Sequence, residues 1–479
     1  MSPNATQIDA PPGARFTRRA ELPPLPAMLA AVADPGSLEP LGELRPCGAA
    51  GALATLGGTP VVLYATDSEI RGGALSPEGC DRIVQAIDVA LDRDVPVVGL
   101  WRSGGASLHD GVLSLDGVGR IFSAIVRASG RIPQLSIIDG AAAGGAAYGA
   151  ALTDVVILTD QARAFVTGPK VVGEVTGQRV DARDLGGPEQ HGRRSGVAHL
   201  CVDTLQDAGR VAGELAGLLA RPGAVDLDAV AGPQVDPGRH VPADPRRVYD
   251  VRAVVDDLLD APALVLQPRF AANVLTAFGR VGGRTVGVVA NNPRRLGGCL
   301  DSASGEKAAR FVRLCDAFGV PLLVLVDVPG YLPGVEQERI GVLRRGAKLL
   351  HAFAAARVPR ITVLLRKAYG GAFVAMNSRG LGADRVLAWP TAELGVMNDL
   401  SAVRILHRRA LAGLEGDALA AREAELVAEH RAKGSPLDHC RGAGLVDEVV
   451  EPAATRRAVA THLHALGPAR RAALTNIPL

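Results

Sequence analysis

The stretch GAAAGGAAYGAALTD, Gly140 to Asp154, decides how the chain reads. Two adjacent glycines, Gly144 and Gly145, follow the apolar run Leu135 to Ile138 and open a segment of small residues. That is the pattern of a strand feeding a helix N-terminus. The first N–H groups of a helix lack partners within it, and glycine lets another molecule come close to them. An anionic oxygen can therefore be held there without a catalytic side chain. The motif occurs twice: RKAYGGAFVAMNSRGLGAD, Arg366 to Asp384, repeats the double glycine as Gly370-Gly371 after the apolar run Ile361 to Leu365.

The repeat reaches beyond the glycines. VPVVGLWRSGGA (Val95 to Ala106) resembles VPLLVLVDVPGY (Val320 to Tyr331), each a buried-strand pattern that ends in a Gly-containing turn. Pro96 to Pro133 is 133 − 96 = 37 residues and Pro321 to Pro359 is 359 − 321 = 38, while 144 − 133 and 370 − 359 are both 11. Two copies of one α/β unit follow. In the first, Cys80 to Leu91 and Ile121 to Ala128 have helical spacing, and Thr59 to Tyr64, Val95 to Leu100 and Leu135 to Ile138 read as strands. In the second, Glu306 to Phe318 and Val342 to Ala356 read as helices, and Thr285 to Val289, Leu322 to Val326 and Ile361 to Leu365 as strands. A charged helical stretch, Leu400 to Arg431, comes later. Between the copies stand Pro222-Gly223, Gly232-Pro233, Pro237-Gly238 and Asp244-Pro245, the composition of a linker. The expected division is a disordered Pro-rich segment 1–30, a first domain 31–220, a linker 221–247 and a second domain 248–479.

Composition narrows the function. The 479 residues are 48% hydrophobic and 21% charged, and no apolar run approaches the length of a membrane helix. The net charge is +2, Lys and Arg are scattered, and aromatics make up 3%, which argues against nucleic-acid binding. Six cysteines stand far apart with no C-x-x-C pair. They read as reduced, mostly buried thiols of a cytoplasmic protein, and neither a zinc ribbon nor a disulfide framework is expected. The N-terminus lacks the apolar core of a secretory signal. His430, His439 and Cys440 lack metal-ligand spacing, and Arg404, His407, Arg408 and Arg409 read as a solvated helix face.

A resemblance covers roughly Asp34 to Leu479. It is carried by SGGA (Ser103 to Ala106), AGGAAY (Ala143 to Tyr148), LGGPEQH and SGVAH (Leu185 to His199), and VYDVR (Val248 to Arg252). In the second half it runs through EKAARFVRLCDAFGVP (Glu306 to Pro321), VDVPGYLPG (Val326 to Gly334), RKAYGGAF (Arg366 to Phe373), WPTAELGVM (Trp389 to Met397) and NIPL (Asn476 to Leu479). The chain resembles the carboxyltransferase β subunits of biotin-dependent acyl-CoA carboxylases, the propionyl-CoA and acetyl-CoA group. The resemblance implies an α/β fold of two tandem crotonase-like (ββα spiral) domains. It implies transfer of CO₂ from carboxybiotin to the α-carbon of an acyl-CoA. Such transfer develops two oxyanions, on the thioester and on the biotin ureido group. By the resemblance, the N–H groups of Gly144 and Gly145 face the first and those of Gly371 and Ala372 the second, while Ala143, Tyr148, Tyr369, Gly370, Phe373 and Val374 line the pockets, the tyrosines as wall packing. Biotin freed of CO₂ can take the α-proton, so no nucleophile-base constellation is required and no metal is expected. Biotin is implied on a separate carrier chain, with a biotin carboxylase as a further partner and coenzyme A as part of the substrate. A homohexamer with its active site at a dimer interface is also implied.

The chain departs from the family pattern at several places. Val374 stands where the family commonly has an acidic residue, and SEIRGG (Ser68 to Gly73), ASLHDG (Ala106 to Gly111) and MNDLSAV (Met397 to Val403) differ from the usual segments. These changes point to an altered acyl preference. Two alternatives share the motifs: a decarboxylase subunit that runs the transfer backwards, and a non-catalytic CoA-binding paralogue that scaffolds a carboxylase complex.

Overall fold

The run AAGALATL, Ala49–Leu56, has too few β-branched residues to read as a strand, yet it forms one. Gly57 and Gly58, at φ of +55° and +75°, turn the chain back onto Thr59–Thr66. A two-residue turn with both φ positive matches strand twist and needs glycine-like residues. Asp34 holds it, its carboxylate accepting both Gly57 and Gly58 N–H groups at 2.8 Å. The device recurs: Gly282 and Gly283, at +54° and +81°, join Val274–Val281 to Arg284–Asn291, and Asp260 accepts their N–H groups at 2.9 and 2.7 Å. The offset of 282 − 57 = 225 residues matches 321 − 96 = 225 for the paired prolines. The computed structural model describes residues 25–42, 47–432, 436–468 and 476.

Each half carries an eight-stranded sheet with strands in sequential order. In the first, antiparallel strands Glu39–Pro40, Ala49–Leu56 and Thr59–Thr66 lead into parallel strands Val97–Ser103, Gln134–Ala143, Val155–Thr159 and Leu200–Val202, while Arg163–Phe165 pairs with the far end of Gln134–Ala143. The second sheet repeats the plan, with Val97–Ser103 matched by Leu322–Val328 and Gln134–Ala143 by Arg360–Tyr369. Both matched pairs break register at the same place. Trp101 faces Ile138 but Ser103 faces Ala142, and Val326 faces Leu364 but Val328 faces Ala368. Two extra residues in the longer strand re-aim its end, and that end is the double-glycine turn.

The flanking helices form for local reasons. Pro77–Arg93 starts at Ser76, whose side chain accepts the Gly79 N–H, has Pro at its first position, and stops at Asp94 with φ of +50°. It buries Ile83, Ala86, Ile87 and Ala90 on one face. Ser302–Phe318 begins with a capping box between Asp301 and Ser304 and ends on Gly319 at φ of +69°. One hydrophobic cluster runs through both halves and includes Leu215 and Leu219 of the first and Phe311 and Leu314 of the second.

Three expectations need correcting. Residues 1–24 lie outside the described residues, but Leu25–Val32 is a helix with Met28 and Leu29 buried, because their side chains join the shared core. Leu400 to Arg431 is not one helix: it breaks into Asp399–Leu406, Arg408–Leu411 and Gly416–Ala432, with Gly413 and Gly416 at positive φ between them. All six thiols are free, but only Cys47, Cys80 and Cys315 are buried, and Cys201 is exposed. Among the described residues no helix is long and apolar enough to cross a membrane.

Candidate functional site

Gly144 and Gly370 share a positive φ, +54° and +60°, which costs glycine nothing and other residues strain. Each turns a long strand into a short helix, Gly145–Ala151 or Gly370–Ala375. Behind the first turn a Cβ on Gly145 would meet Val118 Cγ1 at 2.7 Å, whereas one on Gly371 would meet nothing within 4 Å. Gly144 differs from the role implied by resemblance. Its N–H donates to the Phe165 carbonyl at 3.1 Å, so it is not the open donor expected. Ala143 and Gly145 are partly exposed, Ala372 is buried, and Gly371 lies open. Of the two tyrosines, Tyr369 packs in the wall as expected and its hydroxyl bonds Glu393. Tyr148 is 52% exposed and packs no wall, because its place on Gly145–Ala151 points it out of the half it belongs to. Phe373 is half-buried and Val374 is 43% exposed. The main packing of each short helix is against elements of its own half.

Residues that sequence reasoning passed over set the shape of both turns. At the first, Arg102 (2% exposed) pairs with Asp139 across the register break, and its Nε donates to the Asp139 carbonyl at 2.7 Å. Thr159 donates to the same carboxylate at 2.6 Å. At the second the polarity is reversed: Asp327 comes from the inner strand and Arg366 from the long one, Nε to Oδ2 3.0 Å. The Tyr249 hydroxyl donates to Asp327 at 2.9 Å, and burial beside that carboxylate holds the phenol protonated, its pKa pushed well above 10. Arg366 also donates to the Arg247 carbonyl at 3.1 Å, and Lys367 Nζ to that of Pro245 at 2.8 Å, so the second turn is tied to the end of the linker. Arg102 and Asp327 are equivalent positions, 327 − 102 = 225. Arg366 stands one residue beyond the equivalent of Asp139, 366 − 139 = 227 against 370 − 144 = 226 for the glycines, so aligning the copies reveals the inner-strand charges and displaces their partners by one. His191 was also missed. Its Nε2 lies 2.7 Å from the Ala164 carbonyl and its Nδ1 2.8 Å from Ser195 Oγ. A carbonyl only accepts, so Nε2 carries the proton. Ala164 precedes Phe165, the residue that engages Gly144, so His191 steadies the floor of the first turn.

Residues 49–476 match the carboxyl transferase domain family. The chain belongs to the carboxyl transferase family. This carboxyl transferase is 50% identical over 448 residues to the biotin-dependent acetyl-/propionyl-coenzyme A carboxylase beta6 subunit of Mycobacterium tuberculosis, covering 93% of this chain and 94% of that one. It is 52% identical over 414 residues to the propionyl-CoA carboxylase beta chain of Rhodococcus erythropolis, covering 85% and 87%. The crystal structure of transcarboxylase 12S, described as a hexamer assembly with methylmalonyl-coenzyme A bound, superposes with a TM-score of 0.88 at 37% identity, over 95% of this chain and 92% of that one. The α/β fold of two crotonase-like units expected from the sequence is therefore the fold of the family.

The halves of this carboxyl transferase meet at a polar seam. Gln267 N–H donates to the His199 carbonyl at 2.7 Å, and Arg310 reaches the carbonyls of Thr153 and Asp154 at 3.3 and 3.5 Å. Burial first, then Arg310 and Lys307, lowers the His199 pKa to about 3, so the ring is neutral and its Nδ1 accepts the Val156 N–H at 3.1 Å. The buried Asp154 carboxylate accepts from Gln134 N–H at 2.8 Å and from Asn476 Nδ2 at 2.7 Å. Arg404 is held by Glu423 at 2.6 and 3.0 Å on an exposed surface. No group of three or more His, Cys, Asp or Glu among the described residues could hold a metal.

Proposed function

We propose that this chain is the carboxyltransferase subunit of a biotin-dependent acyl-CoA carboxylase, transferring CO₂ from carboxybiotin on a carrier protein to the α-carbon of propionyl-CoA, acetyl-CoA or a related acyl-CoA. The observation that carries the reading is the duplicated turn, Gly144-Gly145 and Gly370-Gly371, each starting a helix with its first glycine at positive φ. One helix start per oxyanion is what carboxyl transfer needs, and each donor lost costs roughly 2.7–4 kcal/mol of barrier. The first domain, 31–220, takes the acyl-CoA, and the second, 248–479, takes the biotin, with 221–247 linking them. Because Gly144 spends its N–H on Phe165, Gly145 and Ala146 are the first-turn donors, the register equivalents of Gly371 and Ala372. Open space at Gly371 suits a planar ureido group, since no atom of the chain fills the position a Cβ would take. Carboxybiotin supplies the CO₂ when its carrier is bound. Gly371 and Ala372 orient the ureido oxygen, and Gly145 and Ala146 hold the thioester oxygen.

Each short helix packs mainly within its own half, and exposed apolar residues flank both turns, Leu108, Val112 and Val166 at the first and Val396 and Val374 at the second. This supports a homo-oligomer, a hexamer as named for transcarboxylase 12S, in which the first turn of one subunit faces the second turn of its neighbour. A biotin carboxylase and carrier come from other chains. Purified protein given carboxybiotinylated carrier and a panel of acyl-CoAs should form the α-carboxylated product from at least one. Retained CoA binding with transfer to none would instead identify a scaffold paralogue, and transfer observed only from a carboxylated acyl-CoA to biotin would identify the decarboxylase direction.

A further inference from the structure

Six arginines that lie far apart in the sequence, and so read there as scattered charge, converge on one cleft of about 900 Å³ at the seam between the halves. They are Arg193, Arg194, Arg252, Arg269, Arg294 and Arg295. The facing carboxylates are fewer and largely engaged. Glu189 is shared by Arg193 and Arg269, Asp250 lies 3.4 Å from Arg294, and Asp256 lies 3.9 Å from Arg252. Asp301 caps the helix Ser302–Phe318. On the floor, Lys307 gives its protons to the carbonyls of Gln267, Phe270 and Val274. Arg194 and Arg295 are exposed and have no carboxylate partner among the described residues.

The cleft is placed by the internal repeat. Its rim, Asn292 to Gly298, is the copy of Asp67 to Gly73: Leu296, Gly297 and Gly298 have φ of 50°, 62° and 80°, and Arg71, Gly72 and Gly73 have 51°, 67° and 76°. Gly298 rests on the Asp327 carbonyl, where a Cβ would come to 2.6 Å, as Gly73 rests on that of Arg102 at 2.1 Å. Asp327 in turn holds Arg366 at the base of the second turn. The strands Arg284–Asn291, Leu322–Val328 and Arg360–Tyr369 are hydrogen-bonded neighbours, so the rim follows the strand two places from the one that leads into that turn. The two copies of the rim differ in charge. The first carries Asp67, Glu69 and Arg71, the second Arg294 and Arg295.

We infer that this cleft is the docking surface for the protein that carries biotin, which meets it through acidic side chains next to its biotinylated residue. The inference rests on the proposed function, in which the second turn takes the ureido group. Guanidinium groups with unused donors match carboxylates in bidentate geometry, and an excess of one charge speeds encounter with an opposite surface. The position favours the carrier over the phosphates of CoA, because the rim belongs to the second half and lies beside its turn.

The experiment compares carboxyl transfer to carrier-bound biotin with transfer to free biotin, in the full-length protein with its oligomer intact. R194E/R295E should raise the KM for carrier about tenfold and flatten its dependence on salt, while changing the KM for free biotin by less than about twofold. A charge-matched control, R93E/R131E, replaces exposed arginines that precede the central strands Val97–Ser103 and Gln134–Ala143 of the first sheet, at the end away from the glycine turn, and should leave the carrier KM in place. An unchanged carrier KM in R194E/R295E, an equal rise in the control, or a rise in the acyl-CoA KM instead would each overturn the inference. Absence of transfer by the unmodified protein with either form of biotin would overturn the proposed function itself.

Discussion

Gly145 and Gly371 occupy one position in two copies of the same turn, yet a methyl group on Gly145 strikes Val118 Cγ1 at 2.7 Å and one on Gly371 reaches no atom of the chain. The ion pairs beneath them contrast too. Arg102 and Asp139 are reversed as Asp327 and Arg366, and only the second pair draws in the linker. The duplicated backbone, with its hairpin, register break and positive-φ glycine, has been kept, and the side chains have diverged. Backbone geometry is thus what both halves have in common, a long strand turned into a helix start by a positive-φ glycine, and under the proposed function the side chains differ because the two turns take different molecules.

The contrast can be broken most forcefully at the ion pairs. Removing one partner of a buried pair leaves a desolvated charge and costs about 3–5 kcal/mol. Arg102→Met and Arg366→Met should both lower stability by that order in chemical denaturation. Only Arg366→Met should expose the linker around Pro245 to limited proteolysis, since of the two arginines only Arg366 donates to it. Equal linker protection in both variants would erase the distinction.

The glycines themselves come next. Gly145→Ala should lose about 1–3 kcal/mol of stability through overpacking against Val118, recovered in part by adding Val118→Ala. Gly371→Ala should melt with the unmodified protein but slow the biotin-dependent half-reaction run without acyl-CoA by one to two orders of magnitude, roughly the worth of a misplaced oxyanion donor. If Gly371→Ala left that half-reaction intact, the open space at the second turn would not be where the ureido group sits.

The smallest effect concerns the seam, which belongs to neither copy. His199 has a folded pKa of about 3 against 6.5 in the unfolded chain. A depressed pKa contributes stability that is present above pH 6.5 and lost as the pH falls toward 3. The slope from this one proton is at most about 1.4 kcal/mol per pH unit. His199→Gln should flatten the acid limb of a stability-pH profile by that amount, and an unchanged limb would remove His199 from the account.

Much of this was legible in the sequence because it is periodic. The double glycines, the proline spacings and the buried runs Leu322 to Val326 and Ile361 to Leu365 carry local signals of strand and turn. The strand Ala49–Leu56 was not legible, since its conformation comes from a glycine hairpin and the Asp34 clamp, with little from its own residues. The role of Gly144 was hidden because its N–H partner, Phe165, is set by a strand pairing 21 residues away (165 − 144 = 21). The basic cleft was invisible for the same reason on a larger scale: Arg194 and Arg295 become neighbours only when the two halves dock.

Asn476 has a consequence for how the chain is made. Its side chain donates to the buried carboxylate of Asp154 and its backbone exchanges hydrogen bonds with Ser129, 347 residues earlier (476 − 129 = 347). During synthesis Asp154 emerges 322 residues before Asn476 (476 − 154 = 322), so its carboxylate lacks this donor until that residue has been made. The hydrogen bonding of the first half is thereby completed by a residue that follows the second, and a nascent chain released before Asn476 lacks these bonds to Asp154 and Ser129.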